Sequence, residues 1–521
     1  MVNQVLLYEL NEVPWEVLDR YIEVRPESNA ARLLGHAMQR TTIDEDPIML
    51  MPWRTWPTVH RSLLTEDHGA LDQGQDPKTF RGTPIEDVVE AAGLPVGLFG
   101  VLQSWPARSF KHGGFYVPDS FARTVETFPH SLEHFQAFNI AMTKENLFSS
   151  EEPVSPRSVA ATAVDAVRRG LSPWSCAQLA RHVIRERQDR RYLASRPSVQ
   201  VLLCFDLFWR LHKRANPALS VFFSNHVASM MHRFWGDWME GYDSNGYRPD
   251  PVYGTFIVTA MDYFDHQLGL MRAWVDSHPG STLIVAGSMG MGPIEYERTP
   301  SSYVVEDAEK LLTTVEIAPA EVGLAMHPVI TLLFPTPQDA EVASPVLESV
   351  STEMGPMFVD FRTHERTLSF YGAMDKDEEN LPTSLSWTDA QGNRRTGSIG
   401  DVGIVIRHRA GGGNTAQHTP EGMFIAYGAG VGADSRKSTG CPAALLNRDT
   451  DAPEAVGDGL ANVEPLLTPI VARDFRAGGT VDGHALRFEH LLNPIDVIAE
   501  ILLTGAAFSF GLIDARGSPI N

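Results

Sequence analysis

The sequence predicts an α/β fold, in which helices cover both faces of a central, mostly parallel β-sheet. Short apolar runs of strand length alternate along the chain with longer amphipathic segments, and this alternation is typical of layered, parallel sheets. The chain has 521 residues, of which 43% are hydrophobic. That length is enough for one large domain with insertions, or for two or three ordinary domains. The composition predicts an ordered, globular protein.

The first predicted strand is the apolar run Gln4–Leu10 (QVLLYEL), which ends at the polar pair Asn11-Glu12. A continuous apolar run indicates a strand that is buried on both faces. Ligand sites of open α/β sheets lie at the carboxyl ends of such strands, which draws attention to the polar pair. Further along, residues Pro84–Val101 have the pattern of a helix, a Gly-Leu-Pro turn and a second strand.

The middle of the chain continues this alternation. Apolar runs at Ser198–Phe205 and Leu219–Phe223 predict two strands. The long segment Phe256–Val275 predicts a helix, which leads through a His-Pro-Gly-Ser turn into the strand Thr282–Gly287. The segment Gly422–Gly430 returns to the character of a core strand.

Two regions interrupt the alternation and predict insertions. Residues 150–200 are mostly helical in pattern and rich in arginine, which predicts a helical cap. These arginines are typical of a solvated helix face, and substrate binding is the alternative. Residues 301–400 are less regular and predict a smaller α+β insertion. An amphipathic helix that packs on the outside of the fold is predicted from Asn493.

The charge and the cysteines limit the partners and the compartment. A formal net charge of −22 repels nucleic-acid phosphates, so we expect no nucleic-acid partner. It also opposes anionic substrates unless a bound cation supplies positive charge, although solubility alone explains such a surface.

The three cysteines are far apart, which argues against a disulfide framework. We see no signal-peptide pattern and no run of roughly 18 apolar residues, so we expect a cytoplasmic protein without a membrane partner.

Five short segments carry candidate chemistry. In chain order they are YELNE after the first strand, PWRTWPTVHRSLLTEDHG from Pro52, VFFSNHVASMMHRFW from Val221, TLIVAGSMGMG from Thr282 and HTPEGMFIAYG from His418. Their order resembles the alkaline phosphatase superfamily, and most of all its type I phosphodiesterase and nucleotide pyrophosphatase branch. The resemblance implies one domain over residues 1–521, built as a three-layer sandwich with a metal-dependent site at the strand ends.

The resemblance implies a threonine nucleophile. In the segment from Pro52, Thr55 falls at the nucleophile's position and His68 lies at the family's closing His-Gly pair. In the family, a metal activates this hydroxyl for attack on phosphorus. The alternative is structural, because a threonine before Trp56 and Pro57 is also well placed to cap a helix.

The metal ligands of the family are only partly present. Asn11 falls at the position of a metal-binding Asp, and His232 and His418 match two metal-binding histidines. Ser288 and Met289 stand where a further Asp and His belong, and a thioether does not suit Zn²⁺ among hard ligands. We therefore expect at most one tightly bound divalent metal, Zn²⁺ or another transition metal.

His226 is a candidate for a third imidazole ligand beside His232 and His418. Three histidines would make a catalytic metal site with an open position. The six-residue separation of His226 and His232 matches no helical pair of ligands, so ordinary core or surface histidines are the alternative. His418 follows the Gly-rich segment GGGNTAQ, which suits a site rim. His60 has no support from a motif, and we expect it to be structural.

The resemblance implies a function. We expect a hydrolase or transferase that acts on a phosphodiester, pyrophosphate or related ester of a small molecule, with a divalent metal as cofactor and Thr55 at the reaction centre. Two alternatives stay open. One is a catalytically altered homologue that binds a phosphorylated or sugar-like metabolite, or a partner, without cleaving it. The other is a single-metal enzyme of different chemistry. The oligomeric state is not predicted.

Overall fold

A computed structural model describes most of the chain between residues 4 and 440. The described residues are 4–44, 50–146, 171–240, 242, 247–294, 301–318, 320–323, 329–372, 381–408, 414–433 and 439–440. The helix predicted from Asn493 and the part of the predicted cap before residue 171 lie outside these ranges.

Helices and strands follow one another along the described chain. The helices are α1 (Trp15–Val24), α2 (Asn29–Leu34), α3 (Pro52–Arg61), α4 (Thr65–His68), α5 (Ile85–Ala91), α6 (Glu133–Asn146), α7 (Pro173–Gln188), α8 (Arg196–Ala215), α9 (Ala228–Trp238), α10 (Phe256–Ser277), α11 (Ala308–Thr314) and α12 (Pro337–Glu348). The strands are β1 (Gln4–Leu10), β2 (Met38–Ile43), β3 (Val96–Phe99), β4 (Gly114–Val117), β5 (Leu219–Ser224), β6 (Ser281–Ala286), β7 (Gly290–Pro293), β8 (Ser301–Val305), β9 (Glu321–Gly323), β10 (Val329–Leu333), β11 (Ser351–Thr352), β12 (Gly355–Pro356), β13 (Phe358–His364), β14 (Thr367–Gly372), β15 (Ser384–Thr388), β16 (Arg394–Ser398), β17 (Ile404–His408), β18 (Ala416–Thr419), β19 (Glu421–Gly428) and β20 (Thr439–Gly440). None of the described helices combines the length and apolar character needed to cross a membrane.

The central sheet has β1 near its middle. Within the described residues its strands run in the order β20-β2-β19-β6-β1-β5-β3-β4. β1 is parallel to both of its neighbours, β5 and β6, and the parallel arrangement continues to β3 and β4. β19 is antiparallel to β2 and β6. The predicted α/β class with a central, mostly parallel sheet is therefore confirmed.

Both faces of this sheet are buried under helices. Along β1, Leu6 and Tyr8 belong to a hydrophobic cluster with side chains of α1, α2, α8, α9 and α10. Val5 and Leu7 point to the opposite face, where they pack in a cluster with Ile85 of α5. Because side chains alternate along a strand, a strand covered on both sides needs an unbroken apolar run. Polar groups are left to the strand ends, where the candidate site lies.

The strand predicted at Ser198–Phe205 is wrong, because these residues lie within the helix α8. Val199, Leu202 and Phe205 are buried at a spacing of three residues, and the pattern continues to Trp209. This is the period of one helix face, and the whole segment is much longer than a strand. A short apolar run viewed alone does not distinguish a buried helix from a buried strand.

The described residues between 301 and 408 form antiparallel sheets with a hydrophobic cluster of their own. One sheet has the order β13-β14-β10-β9, and another has the order β12-β11-β15-β16. Side chains of α11, α12 and both sheets, including Leu312, Leu347 and Phe370, share one cluster. After β17, which pairs with β8, the chain returns through β18 to β7. The division of the chain into domains stays a prediction.

A buried ionic group lies under the carboxyl end of β1. Glu9 of β1, His60 of α3 and Glu86 of α5 are each more than 90% buried. His60 Nε2 contacts Glu9 Oε1, and His60 Nδ1 lies 3.8 Å from Glu86 Oε2. Burial alone would lower the pKa of His60, but the charges of Glu9 and Glu86 and their hydrogen bonds outweigh burial and raise this pKa to about 10. His60 therefore joins the helix of Thr55 to β1.

We expect the stability that His60 contributes to depend on pH. Its pKa is about 10 in the folded chain and about 6.5 when unfolded, so the contribution is complete below pH 6.5 and is lost as the pH rises towards 10. The loss is at most about 1.4 kcal/mol per pH unit, because one proton is involved. Urea unfolding at pH 6.5 and pH 9.5 should show a stability gap between the parent and His60→Gln that narrows at high pH. His130→Gln removes an exposed His–Glu pair and is the control. An equal gap at both pH values would contradict the assignment.

Candidate metal centre

Three segments that are distant in the sequence meet at the carboxyl ends of β1, β5 and β6. Glu12 follows β1 by two residues, His232 lies on α9 directly after β5, and His418 lies on β18. Each of these residues offers one ligand atom, and the three atoms lie within 4.8 Å of one another. We call this group the Glu12–His232–His418 cluster.

The backbone at Glu12 brings its carboxylate into the cluster. Glu12 has a φ of 63°, in the left-handed region that residues other than glycine rarely adopt. Its Oε2 lies 2.9 Å from His232 Nε2, and its Oε1 lies 3.4 Å from His418 Nε2. A costly backbone conformation that persists at the end of a buried strand is typical of functional sites. Here it turns the chain where an extended residue would continue β1.

The two histidines are held by contacts between their elements. The backbone N–H of Thr415, just before β18, donates to the carbonyl of His232 at 2.7 Å. The N–H of Gly236 donates to Thr415 Oγ1 at 3.2 Å, which fastens α9 to the same segment. His418 Nδ1 lies 2.8 Å from the carbonyl oxygen of Leu50. A proton on Nδ1 bonded to that carbonyl leaves Nε2 of His418 free to act as a ligand in the neutral ring.

The cluster is electrostatically coupled. Burial alone would raise the pKa of Glu12, but the charges of His418 and His232 outweigh burial and hold this pKa well below its ordinary value. Burial alone would lower the pKa of His418, and Glu12 together with the Leu50 carbonyl raises it instead. Glu12 is therefore ionised at neutral pH. The raised pKa of His418 favours a proton on its ring beside this carboxylate, so metal binding through His418 is expected to release that proton.

The donor set fits a divalent transition metal. One carboxylate and two imidazoles make a three-ligand site of the kind that leaves a coordination position open. Glu12 Oε2 is buried and has no hydrogen-bond partner among the described residues, although His232 Nε2 is only 2.9 Å away. A buried carboxylate oxygen of this kind, close to an imidazole nitrogen, suits a cation that both atoms share. The side chains of His232 and His418 are 21% and 19% exposed, whereas that of Glu12 is 2% exposed, so access is from the histidine side.

Thr55 lies inside α3 and faces a second hydroxyl. Thr55 Oγ1 and Ser288 Oγ are 2.6 Å apart, and both residues are buried. The alternative in which Thr55 caps a helix is wrong, because α3 begins at Pro52 and its N-cap is Met51. The Thr55 N–H already makes a helical bond to the carbonyl of Met51 at 3.1 Å.

Asn11 connects Thr55's helix to the cluster. Asn11 Oδ1 accepts a hydrogen bond from Trp56 Nε1 at 2.8 Å. Its Nδ2 donates to Glu12 Oε1 and to Asn225 Oδ1, each at 2.7 Å. The structure thus places the predicted ligand Asn11 beside Glu12, where its amide orients the carboxylate. If Glu12 holds a metal, this hydrogen bond would fix the direction of its carboxylate.

His226 is not brought into the cluster. Its Nδ1 lies 2.6 Å from Ser224 Oγ, and its Nε2 lies 3.0 Å from the carbonyl oxygen of Ala260 on α10. Both ring nitrogens are therefore engaged in the core, and burial lowers the pKa of His226 to about 3. The position of His226 close to His232 in the sequence suggested that His226 is a metal ligand. In the structure, its ring faces α10 and not the cluster.

Glu12 is the cluster residue that sequence reasoning missed. The comparison of YELNE with a family motif selected Asn11, one residue earlier. A signal was present, since Glu12 is a carboxylate at the end of a buried strand, which is where ligand sites of parallel sheets lie. Met289, which the motif aligned with a family histidine, is fully buried in the structure.

No protein-family model matches this chain, and no curated protein matches it. Among solved structures, the chain is similar to murine ectonucleotide pyrophosphatase/phosphodiesterase 5, with 12% identity, a TM-score of 0.36, and coverage of 89% of this chain and 99% of the other. The human protein of the same name has 10% identity, a TM-score of 0.34, and coverage of 92% and 97%. The alkaline phosphatase of the Antarctic bacterium TAB5 has 9% identity, a TM-score of 0.33, and coverage of 91% and 98%. Similarity at this level brings no activity or residue role to this chain.

Proposed function

We propose that this chain is a metal-dependent hydrolase or transferase that acts on a phosphodiester, pyrophosphate or related ester of a small molecule. The observation that carries the proposal is the Glu12–His232–His418 cluster, whose ligand atoms lie within 4.8 Å of one another. The cluster would hold one Zn²⁺ or another divalent transition metal. Such a metal, when bound, would act as a Lewis acid on an ester oxygen and would offset the charge of an anionic substrate.

The side chains around the cluster support a reaction centre at Thr55. The resemblance of the segment from Pro52 to a nucleophile segment selects Thr55. The side chain of its neighbour Trp56 donates a hydrogen bond to Asn11, and Asn11 donates one to Glu12. These two bonds connect α3 to the cluster. The hydroxyl of Ser288 orients that of Thr55 and can accept its hydrogen bond. This arrangement would present one defined hydroxyl to a bound ester.

One observation favours a different single-metal chemistry. Thr55 is only 3% exposed and Ser288 is fully buried, so a substrate would reach the exposed edges of His232 and His418 more easily than the Thr55 hydroxyl. In this second candidate function, the metal centre acts on its substrate without a threonine nucleophile. Two histidines and one carboxylate also make the ligand set of non-haem iron sites, so iron belongs among the metals to be tested.

The proposal is tested by metal analysis together with an ester assay. Purified protein should contain at most one tightly bound transition metal per chain. It should cleave an activated phosphodiester such as bis(p-nitrophenyl) phosphate, or a nucleoside diphosphate derivative. Chelation should abolish turnover, and Zn²⁺, Mn²⁺ or Fe²⁺ added back should restore it. Two tightly held metals per chain, or turnover unchanged by chelation, would contradict the proposal. Saturable metabolite binding without turnover would identify a non-catalytic binding protein.

A further inference from the structure

An open cleft of about 540 Å³ lies between helices, and none of its walls belongs to the metal centre. It is bounded by the end of α1, the start of α2 and the facing sides of α7 and α10. Ligand-binding clefts commonly enclose about 300–1,000 Å³, so a small molecule fits this space. What distinguishes the cleft is the chemistry of its two long helices.

α7 turns one stripe of its surface towards the cleft. Trp174, Gln178, Arg181 and Arg185 all line it, and they are separated by four, three and four residues. This spacing places them on one face of the helix. A helix that packs closely against a neighbour presents apolar side chains at such positions, whereas this face presents an indole, an amide and two guanidinium groups.

α10 completes the wall with aromatic rings. Tyr263 and His266 line the cleft opposite α7. The ring of His266 stacks on that of Trp174 with centroids 3.7 Å apart, and Tyr263 meets Trp174 edge-on at 6.0 Å. These contacts hold the near end of α7 against α10. The cleft therefore has an aromatic side, formed by Trp174, Tyr263 and His266, beside its cationic one.

The two arginines of this stripe have no carboxylate partner among the described residues. Arg181 Nη1 contacts the side-chain oxygen of Gln178 at 3.3 Å. The guanidinium of Arg185 lies over the ring of Tyr192, 5.5 Å from its centroid. Neither contact neutralises charge. Both guanidinium groups therefore bring positive charge to the cleft, in a protein whose net charge is −22.

The acidic residues of the cleft are engaged elsewhere. Asp262 is paired with Arg25 through two contacts of 3.0 and 3.2 Å. Asp265 accepts backbone N–H groups at the start of α2, at 3.1 and 2.8 Å. Glu27 lies 3.3 Å from Arg32. None of these three carboxylates forms a hydrogen bond or ion pair with Arg181 or Arg185 among the described residues.

We infer that this cleft is a second binding site, for a small anion with two or more negative charges, which Arg181 and Arg185 hold. The planar guanidinium fork matches phosphate and carboxylate oxygens in pairs, so polyphosphates and polycarboxylates share the required chemistry. The site goes beyond the proposed function and does not depend on it, because it includes no residue of the metal centre. The arginine-rich pattern of residues 150–200 therefore includes a ligand site as well as solvated surface.

The test uses the full chain after chelation, so that the metal centre cannot bind the probe. Isothermal titration with tripolyphosphate and, separately, with citrate should show saturable binding of one anion per chain for at least one of the two probes. The probe that binds distinguishes a polyphosphate site from a polycarboxylate site. Arg181→Gln/Arg185→Gln should weaken that binding at least about tenfold, because both charge-assisted contacts are lost.

A matched control separates a site from general electrostatics. Arg210→Gln/Arg214→Gln changes the net charge equally, at two exposed positions on α8 that do not line the cleft. The affinity of this control variant for the anion should stay within about twofold of the parent's. Arg181→Lys/Arg185→Lys keeps both positive charges but removes the planar, paired N–H donors of the guanidinium groups. This variant should lose part of the affinity for the anion. If neither probe binds saturably, or both glutamine pairs lose affinity equally, the arginines are only a solvated helix face and the inference is overturned.

Discussion

Replacing Glu12 by glutamine is expected to reduce the affinity of the chain for Zn²⁺ at least about 100-fold. Glutamine keeps the shape of the side chain, but it removes the anionic ligand that both imidazoles face at 2.9 and 3.4 Å. A neutral amide oxygen is a poor ligand for Zn²⁺, so the remaining site has two imidazoles. Competition with a chromogenic chelator measures the affinity directly, whether or not the metal is catalytic.

The histidines and a nearby acid give the comparisons for this experiment. His232→Ala/His418→Ala should lose nearly all tight binding, because one ligand of three remains. His226→Ala should keep the parent's metal affinity, since its two nitrogens bond to Ser224 and Ala260. Glu16→Gln, at an exposed position of α1, controls for loss of one negative charge. Parent-like affinity in both Glu12→Gln and the double histidine variant would show that the cluster does not hold the metal.

Replacing Thr55 by alanine is expected to lower turnover of an activated phosphodiester by about a thousandfold or more, if Thr55 is the nucleophile. Stability should change by about 1 kcal/mol or less, because a single hydroxyl paired to Ser288 is lost. Thr55→Ser keeps the hydroxyl and should retain part of the activity. Initial rates and a urea unfolding curve, measured on the same preparations, separate the two effects.

Thr58 is the matched control for this prediction. It lies on the same helix and is also buried, and its hydroxyl bonds to the carbonyl of Arg54 at 3.2 Å and contacts His68 at 3.0 Å. Thr58→Ala should therefore cost stability while keeping most of the turnover. If Thr55→Ala retains turnover that still depends on metal, the centre works without a threonine nucleophile. That result would favour the second candidate function, in which the metal centre acts without a threonine nucleophile. The burial of Thr55 favours the same function.

The sheet was largely predictable because its strands are buried on both faces. The run Gln4–Leu10 coincides with β1, and the predicted strands at Leu219–Phe223 and Thr282–Gly287 match β5 and β6 to within two residues. An apolar run bounded by polar residues is a local signal, and it can be recognised without knowing which strands and helices pack against the run. The same signal misled at Ser198–Phe205, because a fully buried helix presents an equally apolar run over so short a window.

The sequence by itself determined the α/β class, the central strands and the placement of candidate polar residues at their ends. Only the tertiary structure decided which of those residues meet. Glu12 joins His232 and His418 because a left-handed backbone turn ends β1 and because β18 returns to pair with β7. His226, six residues from His232, is turned away by its bond to the carbonyl of Ala260. The hydrophobic period of a helix or strand can be recognised from residues that are neighbours in the sequence. A cluster of ligands depends instead on contacts between segments that are about 200 residues apart and on the backbone angles of single residues. Neither of these leaves a pattern in the local sequence.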